Sequence, residues 1–147
     1  MRLTVQSDYS LRVLIFVASK QGDLSTIPEI ANAYGISRTH LMKVVHQLGK
    51  LGYLETVRGR GGGFRLARPA GEICIGSVVK ATEETLALVP CLATASAEAG
   101  CRIAGACRLK GMLSEALSAF FVVLDRYTLA DIVGGRAAPL RRLLQLA

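Results

Sequence analysis

Residues 27–46 read IPEIANAYGISRTHLMKVVH, and the spacing within this stretch decides the fold. Thr26 and Glu29 stand three apart ahead of an apolar run, which is the pattern of a capping box. Pro28 falls early in the helix, where a missing N–H does no harm. A short helix is therefore expected through Ala31, ending at Gly35. Ser37 is a good N-cap for a second helix. In that helix Leu41, Val44, Val45 and Leu48 recur at spacings of three and four and face inward, and it stops near Gly49 or Gly52. Two helices joined so tightly pack only if the first offers a small residue and the turn accepts a positive φ. Ala31 and Gly35 supply both. The pattern is that of a helix-turn-helix, whose second helix lies in the major groove with its first residues at the base edges. A generic helical hairpin gives a similar pattern, so the flanking sequence has to discriminate.

Upstream, Leu11, Leu14, Ile15 and Ala18 predict one face of a helix from Ser7 to Lys20, stopped by Gly22. Downstream, Tyr53–Val57 and Phe64–Arg68 are short strand-like runs around the glycine-rich basic turn Arg58–Gly63, and Pro69 and Gly71 close the hairpin. The stretch GRGGGF is not a nucleotide-phosphate loop, because it lacks the Lys-Ser/Thr ending and the strand-to-helix order. Residues 74–84 suggest a further short helix, and 88–107 a loop rich in Ala, Gly and Ser. A long helix follows from Arg108 to about Tyr127, with Leu109, Leu113, Ala116, Phe120 and Leu124 on one stripe. After a short segment, Thr128–Val133, the tail contains Gly-Gly and is expected to fray. There is no internal repeat. The expected fold is mainly α with a small β-hairpin wing, a winged helix-turn-helix followed by a long C-terminal helix. The expected organisation is a DNA-binding domain over 1–84, a cysteine-containing loop over 85–107, a helix region over 108–133 and a flexible basic tail over 134–147.

Charge distribution agrees with this reading. The formal charge is +7, and residues 36–69 carry seven basic side chains (Arg38, Lys43, Lys50, Arg58, Arg60, Arg65, Arg68) against the single acid Glu55. A basic stripe in one place is the footprint of a nucleic-acid binder. Arg38, Thr39 and His40, after the cap Ser37, stand where base edges are read, and Lys43 is placed for a phosphate. Each of these also fits a solvated helix face, and His46 fits a packed or merely exposed residue. Arg58 and Arg60 flank glycines, Gly61 and Gly62 among them, that let the backbone approach a phosphate or enter a minor groove, with Arg65 just beyond.

No apolar run reaches the roughly 18 to 20 residues of a membrane span. Asp8 and Arg12 break the early apolar stretch, so no secretory signal is read there. The expectation is a cytoplasmic protein, not membrane-bound, whose four cysteines are reduced thiols or metal ligands. Cys91, Cys101 and Cys107 share one loop, with nine and then five residues between them. Thiolates bind soft iron and zinc. The spacing is not the paired C-x2-C of a zinc ribbon, so structural zinc is disfavoured. Three free thiols remain the plain alternative. Cys74, among Ile73, Ile75 and Val78, is expected to be a packing residue. Nothing resembles a nucleophile with an oriented base, and both histidines lie in the helix assigned to DNA, so no enzyme is expected.

Several stretches together resemble the NsrR family of nitric-oxide-sensing iron–sulfur repressors, a winged-helix group that also holds the cluster-assembly regulator IscR. They are MRLT at the start, DYSLR at 8–12, GRGGGFRL at 59–66, the three-cysteine loop, and CRLKG at 107–111 running into DRYTLAD at 125–131. The resemblance covers roughly residues 1–133. It implies a homodimer built through the long C-terminal helix and an iron–sulfur cluster held by Cys91, Cys101 and Cys107. It also implies Asp8 of the partner subunit as fourth ligand, although a first-turn acid on a helix is also favoured by the dipole. IscR-like members use a histidine just after the third cysteine, which this chain lacks. A 4Fe-4S cluster is implied, with 2Fe-2S as the alternative. The implied function is repression of nitric oxide detoxification genes under nitrosative stress. Palindromic operator DNA would be released when nitric oxide attacks the cluster and breaks the Asp8 tether. An IscR-like regulator of cluster assembly and a metal-free thiol-redox regulator are the alternative readings.

Overall fold

The computed structural model describes residues 2–93, 101–135 and 137–146. Helix α1, Val5–Ser19, starts at Thr4, whose Oγ1 accepts the Ser7 N–H at 3.2 Å. It begins two residues before the expected start, and its buried face is also broader than expected. Val13, Leu14, Phe16 and Val17 are all but fully buried, while Leu11, Ile15 and Ala18 are half-buried. The reason is position. α1 lies at the centre of the molecule and is packed by neighbours on several sides, with Ser7, Ser10 and Ser19 letting them approach closely.

The helix-turn-helix forms as the sequence predicts. Helix α2, Ile27–Tyr34, opens with Glu29 Oε2 accepting from Thr26 N at 2.7 Å and from Thr26 Oγ1 at 2.9 Å. It ends at Gly35, whose φ of 66° is the left-handed value that Gly adopts most cheaply. Helix α3, Arg38–Lys50, buries Leu41, Val44 and Leu48 against α1 and α2, leaving Val45 half-buried.

Strand β1, Leu54–Val57, pairs antiparallel with β2, Gly63–Leu66, in the register Leu54 to Leu66 and Glu55 to Arg65. Ser25 joins the hairpin on its other edge. Its N–H donates to Phe64 O at 2.8 Å, and Phe64 N–H donates back at 2.9 Å. Phe64 drives its ring into the core beside Tyr53 and Leu54.

Helix α4, Ile75–Thr82, is shorter than the expected 74–84 and packs Ile75, Val78 and Val79 inward. Short 3-10 turns at Pro90–Leu92 and Ala104–Ala106 lead to the long helix α5, Leu109–Leu124. Its expected stripe divides. Leu113, Phe120 and Leu124 are half-buried, whereas Leu109 and Ala116 are exposed and Phe121 is the most buried residue. Among the described residues its main packing neighbours are α4 and the turn at Pro90–Leu92. Beyond it, Leu129 N–H donates to Ile73 O at 2.8 Å and Ile75 N–H to Tyr127 O at 2.9 Å, returning the chain to the body.

Helix α6, Leu129–Gly134, buries Leu129 completely. The segment expected to fray contains helix α7, Ala137–Leu143. Leu144 is buried, Leu140 and Leu146 pack on the same core, and Arg141 Nη1 donates to Ser19 O at 3.0 Å. The leucines at 140, 144 and 146 supply an apolar face that composition alone hid behind the glycines and arginines. No helix among the described residues is long and apolar enough to cross a membrane.

Candidate functional site

The start of α3 carries the first half of the site. Ser37 Oγ accepts the His40 backbone N–H at 3.3 Å, fixing the first turn; a cap of this kind contributes about 1 kcal/mol. Arg38, Thr39, His40 and Lys43 are exposed, on the side of α3 away from Leu41, Val44 and Leu48. His46 is also exposed. The His40 ring is not bare. It meets the ring of Tyr9, on α1, edge-on at 5.8 Å between centroids. Gln6 of α1 reaches the other end of α3 through a hydrogen bond from its Nε2 to Gln47 Oε1.

The wing turn supplies the second half. Gly59 and Gly61 have φ of 110° and 78°, and Gly62 N–H donates to Gly59 O at 2.9 Å. A Cβ on Gly62 would stand 2.4 Å from Val57 O and 2.9 Å from Gly59 O, so only glycine closes this turn. Gly63 is equally constrained, 2.5 Å from Ser25 O. The arginines fall into two groups. Arg65 Nε is paired across the strands with Glu55 Oε1. Arg68 donates to Gly52 O at 3.0 Å and lies over the Tyr53 ring at 4.9 Å. Arg58 and Arg60, in the turn, and Arg38 and Lys43, on α3, have no side-chain partner among the described residues and stay exposed. Four uncommitted cations beside helix-borne hydroxyl groups suit a polyanion whose phosphates they neutralise.

The three loop cysteines lie elsewhere. Cys91 sits half-buried on the turn at Pro90–Leu92, against α5. Cys107 is half-buried at the end of the turn Ala104–Ala106, just before α5, and Cys101 is exposed. None forms a disulfide. Among the described residues no three His, Cys, Asp or Glu side chains gather as a set of metal ligands, and residues 94–100 of the loop lie outside the described residues. The donor type nevertheless fits iron, since three free thiols of one loop are the soft ligands that iron–sulfur clusters take. Asp8, on the first turn of α1, is half-exposed and paired with Arg12 of its own chain. Cys74 is placed apart from the loop. It caps α4 half-buried, with Sγ 3.6 Å from Asp125 Oδ1. Lys80 Nζ binds the other carboxylate oxygen at 2.7 Å and holds Asp125 below the usual carboxylate range.

Tyr9, Gln6 and Glu55 were missed as functional neighbours by sequence reasoning. The wing's two-residue alternation could have placed Glu55 opposite Arg65 once the turn length was known. No local signal joins Tyr9 to His40, thirty-one positions away.

The sequence profile of the Rrf2 family, described as an iron-dependent transcriptional regulator, matches residues 3–135. The HTH-type transcriptional regulator NsrR of Geobacillus kaustophilus is 51% identical over 146 residues, covering 99% of this chain and 97% of that protein. The protein of the same name from Bacillus subtilis is 52% identical over 134 residues, 90% of each chain. Among solved structures, T. potens IscR matches with a TM-score of 0.70 at 22% identity, covering 92% of this chain and 88% of that one, a likeness of fold.

Proposed function

The chain belongs to the Rrf2 family of transcriptional regulators, and from that premise we propose a repressor that senses nitric oxide through an iron–sulfur cluster. The observation that carries the reading is the near-complete, half-identical match to proteins named NsrR in a chain that keeps three free thiols in one loop.

On DNA, the start of α3 enters the major groove. Arg38, Thr39 and His40 meet base edges while Lys43 meets a phosphate. Ser37 keeps the first turn of α3 wound. Arg58 and Arg60 take the flanking backbone or minor groove, with Gly61 and Gly62 adding no side chains beside them. Arg65, on the strand behind them, is held by Glu55 and joins them only when that pair opens.

The exposed apolar residues Leu109, Met112, Val122 and Val123 of α5 favour pairing with a second copy. Such a homodimer sets two α3 helices on successive half-sites of a palindrome, about 34 Å apart. Cys91, Cys101 and Cys107 would hold the cluster, with Asp8 of the second copy as the fourth donor. We favour the 4Fe-4S form over 2Fe-2S. When bound, the cluster supplies iron that reacts with nitric oxide. Asp8 would link α1 of one subunit to the cysteine loop of the other. Because α1 is bonded to α3 at Gln6 and packed on it at Tyr9, release of that link frees the recognition helix to shift. The regulated genes are those for nitric oxide detoxification, and the site of action is the cytoplasm.

The test is anaerobic purification of the full chain, with visible absorption, native mass and operator binding recorded before and after nitric oxide. A brown dimer that holds sulfide, bleaches with nitric oxide and then drops DNA is expected. A colourless protein that binds DNA even after reconstitution with iron and sulfide would sink the cluster reading and leave a winged-helix regulator.

A further inference from the structure

Of the residues at the start of α3, Arg38 and Thr39 are exposed and have no side-chain partner among the described residues. His40 differs on two counts. Its backbone N–H is held by Ser37 Oγ, and its ring stands edge-on to Tyr9 with an interplanar angle of 71°. Tyr9 is itself well fixed. It is half-buried and packs on the core, on a helix whose Val13, Leu14, Phe16 and Val17 are at most 2% exposed. One side of the exposed imidazole is thus set by a rigid element outside the helix-turn-helix.

We propose that Tyr9 is a specificity-determining positioning residue, whose ring orients the His40 imidazole so that a ring N–H meets a purine acceptor edge in the major groove. The inference rests on the DNA-binding reading and deepens it. A side chain that is already ordered loses little freedom on binding, so its hydrogen bond discriminates between bases instead of being spent on ordering. A purine presents N7, with guanine O6 beside it, to a donor in the major groove. Neutral or protonated imidazole has an N–H to give. Tyr9 touches no DNA in this account. It acts through His40 alone.

The test uses the full-length protein and selection from a pool of randomised duplexes, followed by affinities for single-base variants of the selected site. Wild type, Tyr9→Phe, Tyr9→Leu, His40→Ala and the Tyr9→Leu/His40→Ala double variant are compared, with a melting curve for each. Tyr9→Phe keeps an aromatic edge and should retain the wild-type preference. Tyr9→Leu and His40→Ala should each lose roughly tenfold discrimination at the same symmetric pair of base positions. The double variant should lose no more than either alone. Uniform weakening on every duplex by Tyr9→Leu, or losses that add in the double variant, would overturn the proposal while leaving DNA binding intact. A wild-type protein that selects no sequence would overturn the DNA-binding reading and the proposal with it.

Discussion

Asp8 and Arg12, one turn apart on α1, face each other through two contacts of 3.0 Å, Nε to Oδ1 and Nη2 to Oδ2. The hydrogen bond that Arg12 donates to Asp8 raises the Arg12 pKa above its ordinary value. The same guanidinium stands 5.8 Å from the centroid of the Tyr34 ring, at the end of α2, whose hydroxyl burial pushes up to about 12. A carboxylate proposed to serve the partner's cluster therefore has a competing partner at home. Both side chains are more than two-fifths exposed, so the pair contributes only about 0.3–0.5 kcal/mol to stability. Asp8→Ala should leave the melting temperature and DNA binding of the iron-free protein nearly unchanged. It should also make the reconstituted protein lose its visible absorption faster and blunt the nitric oxide response. Unchanged bleaching and unchanged operator release would remove Asp8 from the mechanism.

The wing carries its own brake. Glu55 is the lone acid of the basic stripe, and it neutralises Arg65 across the strands. Glu55→Gln should release that arginine to the phosphates, tighten non-specific binding and steepen the slope of log K against log salt by about 0.9. Titrations with unrelated duplex DNA at several salt concentrations measure this. An unaltered slope would mean that Arg65 stays off the DNA.

Gly61 and Gly62 sit side by side but answer to different constraints. At Gly61 a Cβ meets open space, and only the φ of 78° is unfavourable, so Gly61→Ala should cost about 1 kcal/mol. At Gly62 the clash is with two backbone oxygens that no rotamer can move. Gly62→Ala should cost more, about 2–3 kcal/mol, and weaken DNA binding by distorting the wing. Melting curves and affinities for both variants check the ranking, and equal effects would contradict the turn geometry.

How far the sequence could be read depended on how local each feature is. The capping box at Thr26, the left-handed Gly35 and the cap at Ser37 are satisfied within a few residues, and each forms as expected. The buried face of α1 is set by neighbours distant in sequence, so the periodicity of Leu11, Leu14, Ile15 and Ala18 identified a helix but not its most buried residues. Helix α7 escaped notice because the leucines at 140, 144 and 146 gain their meaning only from the groove they fill. The three loop cysteines stand out by residue type, yet their assembly depends on loop conformation and on a second copy, neither of which is written in their spacing.

Asp125 joins the end of α5 to the start of α4. Its Oδ1 occupies the space beside Gly76 so fully that a Cβ there would lie 1.9 Å away, while Lys80 and Cys74 hold its two oxygens. Gly76→Ala should expel the carboxylate and loosen α5 from α4. Because Lys80 depresses the Asp125 pKa, the stabilisation is present above the unfolded-state value and is lost as pH falls through the depressed one. Asp125→Asn should therefore flatten the acid limb of the stability profile. An acid limb identical to wild type would mean that the contact contributes nothing.

Cys74 also separates the two classes of thiol. It is tied to Asp125, whereas Cys91, Cys101 and Cys107 flank the approach to α5. Serine conserves volume but is a poor ligand for soft iron. Cys91→Ser, Cys101→Ser and Cys107→Ser should each abolish or sharply reduce the visible absorption after reconstitution while leaving the folded helix content unchanged. Cys74→Ser should keep the full spectrum, because its Sγ faces the Asp125 carboxylate, which Lys80 holds from the other side, instead of other thiols. Loss of colour in Cys74→Ser with retention in Cys101→Ser would reassign the ligand set. Retention in all four would leave the loop thiols free to act by disulfide exchange, and mass shifts under mild oxidant would then identify the pair.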